Sequence, residues 1–126
     1  MKYKVIIETK IADRPEDHEL SAALVIANYF KTDVVFLRPQ THKTPDMEMN
    51  GAKWEIKSPR GNGKKTIDNN LRSARKQSRN IIIDLRRIKL HQNKTKAHIN
   101  HYLSSGPHGF KKILIITKTN NVIEIL

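Results

Sequence analysis

Cysteine is absent from all 126 residues, which excludes disulfides and thiolate metal sites and leaves the redox compartment open. A long apolar run is also missing. The N-terminal stretch Met-Lys-Tyr-Lys-Val-Ile-Ile-Glu is basic and is broken by Glu8 and Lys10, so it reads as neither a signal peptide nor a membrane span. No internal repeat or low-complexity tract interrupts the chain, and glycine and proline, five of each, cluster at turns rather than in a linker. The length fits a single domain, residues 1–126, around one modest core.

Acidic residues are scarce. Against 24 Lys+Arg stand 12 Asp+Glu, a formal charge of +12, and the isoelectric point is about 10.1. Such an excess is an electrostatic footprint for nucleic acid, because neutralising phosphates releases counterions and supplies most sequence-independent affinity. A solvated basic surface carries the same charge, as in ribosomal and architectural proteins, so charge does not separate a binder from an enzyme.

Periodicity supplies the fold class. Tyr3 to Glu8 alternates as a short strand. Pro15 and the acids from Asp13 to Asp17 suit a helix start, and Leu20, Ala23, Leu24, Ala27 and Phe30 recur as a core stripe of a helix over 16–31. Asp33 to Leu37 is a β-branched and aromatic strand, and Asn50-Gly51 between two alternating runs predicts a hairpin over 46–58. A basic loop, 59–65, leads to a polar helix over 66–78. Asn80 to Leu85 carries the continuous apolar run Ile81-Ile82-Ile83, as expected of a buried central strand. A third helix over 89–104 stops at Ser105-Gly106-Pro107, and strands over 112–117 and 122–126 close the chain. This alternation predicts an α/β fold with a mixed β-sheet flanked by helices.

Within the hairpin, charge stands where it is expensive. In Glu55-Ile56-Lys57 strand alternation puts both charged side chains on one face and Ile56 on the other. With Asp46, they set two carboxylates and a lysine around a tight turn. That arrangement suits a divalent cation, Mg²⁺ or Mn²⁺, held by Asp46 and Glu55, with the ammonium steadying a phosphate that gains charge. An exposed ion pair of Glu55 with Lys57 is the plainer alternative, worth at most about 1 kcal/mol, but a strand near the sheet centre should not expose such a pair. Asp46 also fits a turn acid after Pro45, and Glu48 a solvent-facing strand residue. Trp54 alternates with Glu55 and packs on the far face.

Pro45-Asp46, eight intervening residues and Glu55-Ile56-Lys57 resemble the PD-(D/E)xK nuclease superfamily. Its restriction-endonuclease-like core has the order α-β-β-β-α-β, which the elements between about 13 and 85 follow. More narrowly, Asn50-Gly51-Ala52-Lys53-Trp54-Glu55-Ile56-Lys57-Ser58-Pro59 with Gln77-Ser78 and Ile81-Ile82-Ile83-Asp84-Leu85 is similar to the C-terminal tRNA nuclease toxin domains of contact-dependent growth inhibition systems. The resemblance implies metal ligation by Asp46, Glu55 and the Ile56 carbonyl, catalysis by Lys57, and a phosphate or lysine contact from Gln77. Glu19, on the first helix, would complete the metal shell or be an ordinary surface acid. Glu48 departs from the pattern as an acid that could share or replace a ligand.

The expectation is a metal-dependent endonuclease acting in the cytoplasm, on tRNA by the closer resemblance, with DNA or simple nucleic-acid binding as alternatives. Delivery as the tail of a larger secreted toxin stays open. Lys64, Lys65, Arg72, Arg75, Lys76 and Arg79 would grip the phosphate backbone. Arg72, Arg75, Lys76 and Arg79 fall at helical spacing as one basic stripe. A toxin of this kind implies an immunity protein, acidic by charge complementarity. His98 and His101, an i, i+3 pair with His91 nearby, lack the third ligand that zinc requires. His18, His42 and His108 suggest no general base.

Overall fold

The structure, a computed structural model, describes residues 3–7, 14–41 and 44–126, with no account of the Lys64 side chain. Glu8, Lys10, Asp13 and His42 lie outside these residues. Seven strands form one mixed sheet in sequence order: β1 (Val5–Ile7), β2 (Val34–Phe36), β3 (Met47–Met49), β4 (Ala52–Lys57), β5 (Asn80–Asp84), β6 (Lys112–Ile116) and β7 (Val122–Glu124). β1–β2, β4–β5 and β5–β6 pair parallel, the others antiparallel. β4 is thus the central strand, and β7 lies at one edge.

Helices cover both faces. α1 (Asp17–Phe30) packs Ala22, Ala23, Ile26 and Ala27 against Phe36, Met47, Trp54, Ile56, Ile82 and Leu114. α2 (Lys64–Ala74) and α3 (Gln92–Ser104) bury Ile67, Leu71 and Ile99 against Ile81, Ile83, Ile113 and Ile115 on the opposite face. The apolar run of β5 follows from this: Ile82 serves one layer and Ile81 and Ile83 the other, so strand alternation needs isoleucine at every position. None of the helices among the described residues is long and apolar enough to cross a membrane.

The hairpin forms as its turn residues dictate. Asn50 and Gly51 take φ of 51° and 78°, the paired positive values that a two-residue turn needs to match strand twist. Trp54 is buried with the α1 layer, opposite Glu55.

All three helices differ from the sequence expectation. The α1 stripe is rotated: Leu24 is 46% exposed while Ala22 and Ile26 are buried, because small alanines let the helix sit close to the sheet and Ile26 fills the space beyond them. α2 ends at Ala74, not at 78. Residues 75–77 turn, and the Gln77 and Ser78 amides both donate to Ala74 O. α3 starts at Gln92, where the N-cap His91 accepts the Asn93 amide on Nδ1 at 3.1 Å.

Candidate active site

β3 and β4 pair with Met47 opposite Trp54 and Glu48 opposite Lys53. Continued by one residue, that register sets Asp46 opposite Glu55, where side chains share a face at close range. Glu55 lies 2% exposed in the middle of the sheet. Glu48, opposite Lys53, is displaced along the strand from the acid pair.

Lys57 Nζ lies 3.1 Å from Glu55 Oε2 and donates to Gln77 Oε1 at 2.9 Å. The early end of α2 makes the second contact possible. Ser78 Oγ and Asn80 Nδ2 both donate to Lys53 O, at 2.8 and 3.1 Å, and pin the turn after α2 against β4. Gln77 thereby faces the lysine.

The acids are incompletely neutralised. Asp46 Oδ2 accepts the Ile56 amide at 2.9 Å, but Glu55 Oε1 is buried with no hydrogen-bond partner. Burial, then the charge of Asp46, push the Glu55 carboxyl up to about 8, Lys57 only partly opposing them. Burial also raises Asp46, against the Ile56 amide. Two acids that cannot comfortably ionise together are what a buried carboxylate pair becomes without a cation between them. The donor set fits one: the second Asp46 oxygen, the orphaned Glu55 Oε1 and the Ile56 carbonyl, which in an extended strand points to the same side as the amide facing Asp46. All are oxygens, as a hard cation such as Mg²⁺ or Mn²⁺ prefers.

Glu19 stands apart from Glu55 and Lys57. It lines a cleft of about 200 Å³ with Arg14, Pro15, Leu37, Pro45 and Asp46, so Asp46 is the member of the acid pair it shares space with. One Glu19 oxygen is engaged, Oε1 accepting the Glu16 amide at 3.0 Å to cap α1. Glu16, His18 and Glu19 cluster closely enough to be metal donors, and His18 Nδ1 lies 3.3 Å from Glu16 Oε2. His98 and His101 acquire no third donor among the described residues. His108 Nδ1 accepts the Phe110 amide at 2.9 Å.

The basic residues do not form the expected stripe. Because α2 stops at Ala74, Lys76 and Arg79 lie in the connection to β5, and Arg79 O accepts the Lys111 and Lys112 amides. Arg72 and Arg75 instead face α3 across a second cleft. Lys65 is exposed in the first turn of α2.

Sequence reasoning missed two arginines. Arg86 Nε and Nη2 hold both oxygens of the fully buried Asp84 at 2.9 Å, and Nη1 and Nη2 reach Ser21 Oγ and His18 O on α1, at 2.8 and 3.3 Å. Hydrogen bonding to Asp84 raises Arg86 further above its usual range. Arg87 Nη2 donates to Ser58 O at 3.1 Å, directly after Lys57. The available signal was Asp84 itself, a carboxylate closing an apolar strand two residues before an arginine.

The fold is shared with a known structure. Over 97% of this chain and 98% of the other, the fold matches a solved structure described as the CdiA-CT/CdiI toxin and immunity complex from Burkholderia pseudomallei, with a TM-score of 0.71 and 23% sequence identity. No curated protein matches the chain. Residues 43–122 match the family of the contact-dependent growth inhibition CdiA C-terminal domain, a span that contains Asp46, Glu55, Lys57 and Gln77, and the chain belongs to that family.

Proposed function

We propose that this CdiA C-terminal domain is a toxin and a metal-dependent endonuclease of PD-(D/E)xK type that hydrolyses phosphodiester bonds, with tRNA as the favoured substrate. The observation that carries the reading is the buried carboxyl pair of Glu55 and Asp46 beside Lys57, in which Glu55 Oε1 meets no neutralising donor. An orphaned acceptor at the centre of a sheet costs about 1–3 kcal/mol, a cost that makes sense at a functional site.

In this reading Asp46, Glu55 and the Ile56 carbonyl hold a Mg²⁺ or Mn²⁺ ion. Once bound, the ion supplies Lewis acidity towards a phosphate oxygen and its water. Lys57 has three N–H donors. Glu55 and Gln77 orient two of them, leaving the third for a non-bridging oxygen, whose charge grows as water adds to phosphorus and the ester oxygen departs with a proton. That contact is strongest in the transition state. Gln77 holds the ammonium from the side away from Glu55's strand, so that both contacts fix its direction. The net charge of +12 draws a polyanion to the site. Glu19, across the cleft from Asp46, serves as an outer acid.

The structural likeness to a toxin bound to its immunity protein supports a cognate immunity protein, acidic to suit the charge. Delivery within a larger secreted protein and action on cytoplasmic tRNA complete the proposal. The test is cleavage of total tRNA and of plasmid DNA by purified protein with Mg²⁺, Mn²⁺ or chelator, beside Glu55→Gln and Lys57→Ala. Metal-dependent cutting of tRNA that both variants lose is expected. Binding without cutting, unaffected by metal or by either substitution, would falsify the nuclease and leave a basic binding domain.

A further inference from the structure

The second cleft, between α2 and α3, encloses about 320 Å³, with Asp68, Arg72, Arg75, His101, Tyr102 and Ser105 among its walls. It is the size of a small-ligand pocket. Arg72 donates to Asn69 Oδ1 at 3.3 Å. Neither Arg72 nor Arg75 is in an ion pair among the described residues, although the Asp68 carboxylate lies on the same wall. Opposite them, Tyr102 is half-buried and packs on the core beneath α3.

The C-terminal carbonyls of α2 and α3 lie towards this end and add partial negative charge. The α3 end is partly satisfied, since His101 O accepts from the Ser104 and Ser105 hydroxyls at 3.0 and 2.6 Å. The guanidiniums remain the groups able to meet an anion. The cleft also adjoins the acid site through the chain: Arg75 is two residues before Gln77, which bonds Lys57.

We infer that the α2–α3 cleft is a nucleotide subsite, in which Arg72 and Arg75 hold a backbone phosphate and a single-stranded base stacks on Tyr102. Such pairing of guanidinium with phosphate and aromatic ring with unpaired base is how proteins hold single-stranded RNA. The inference deepens the proposed function, because it takes the substrate to be RNA with an accessible unpaired segment.

The test is binding of a fluorescent single-stranded RNA oligomer, followed by anisotropy across a salt series in chelator so that no cleavage intervenes. Wild type is compared with R72Q/R75Q and with K94Q/K118Q, which removes equal charge from exposed positions away from the cleft. Each phosphate contact on a single strand adds about 0.7 to the slope of log affinity against log salt. R72Q/R75Q should therefore lower the slope by about 0.7 and K94Q/K118Q by clearly less. Tyr102→Leu should weaken binding by about 5-fold or more, as loss of one stacked base does, while Tyr102→Phe binds as wild type. Equal slopes for the two double variants overturn the subsite even if Tyr102→Leu does not fold. They leave the nuclease reading intact. No binding of RNA by wild type overturns the RNA substrate as well, which separates the two failures.

Discussion

Asp84 and Glu55 are buried carboxylates on neighbouring strands of one sheet, and their surroundings are opposite. Asp84 has both oxygens held by one guanidinium, which also ties β5 to the first turns of α1. Glu55 has one oxygen near an ammonium, while the other is buried with no N–H donor to neutralise it and the Asp46 carboxyl as its neighbour. The first is arranged as structure, with charge cancelled on the spot in bidentate geometry. The second is left electrically unfinished. A buried acid alone therefore does not mark a site; a buried acid whose partners are incomplete does.

Breaking the Asp84 pair should have the largest effect on stability. Arg86→Met alone strands a buried charge and should cost about 3–5 kcal/mol, read as a lower midpoint in chemical denaturation. Joining it to Asp84→Leu should recover much of that loss, since apolar replacement of a whole buried pair is tolerated. Glu55→Gln should show the reverse: cleavage reduced by at least about 100-fold, with the metal-free protein as stable as wild type or more so at pH 8.

The two acids should also part in pH dependence. Burial pushes the Glu55 carboxyl up to about 8 in the folded chain, from about 4.5 when free in water. Between those values the unfolded chain has lost the proton and the folded one keeps it, so stability in chelator falls as pH rises through that window and levels off above it. Thermal melts from pH 5 to 9 should show this decline, and Glu55→Gln should flatten it. Metal binding must displace the same proton, so Mn²⁺ affinity measured by calorimetry should rise with pH up to about 8, with proton release that depends on the buffer. The smallest expected effect is that of Gln77→Leu, which removes one hydrogen bond from Lys57. It should cost about 1 kcal/mol, visible as a several-fold loss in kcat with little change in KM.

Much of this was legible in the residues. Asn50-Gly51 marked the hairpin, alternation placed Glu55 and Lys57 on one face with Trp54 on the other, and the apolar run of 81–83 announced a strand covered on both sides. These features are local, with a period or a turn chemistry of their own. The failures depended on distant contacts. The Arg72-to-Arg79 stripe assumed that α2 continues, but nothing in its sequence reveals that Ser78 and Asn80 will bond Lys53 O and halt it. Leu24 fitted the helical spacing, yet close packing by alanines turned the helix away from it. Arg86 went unnoticed because its contacts on α1 lie some 65 residues away.

The Asn50-Gly51 turn works as a gauge. Asp46 lies four residues before Asn50 and Glu55 four after Gly51, so the length of the turn decides which two side chains meet across the strands. One extra residue absorbed as a register slip would preserve the composition and the charge, and very nearly the sheet, while sending one acid to the other face. Such a protein would lose the proposed chemistry through a miscount, with every residue of the candidate site still in the sequence.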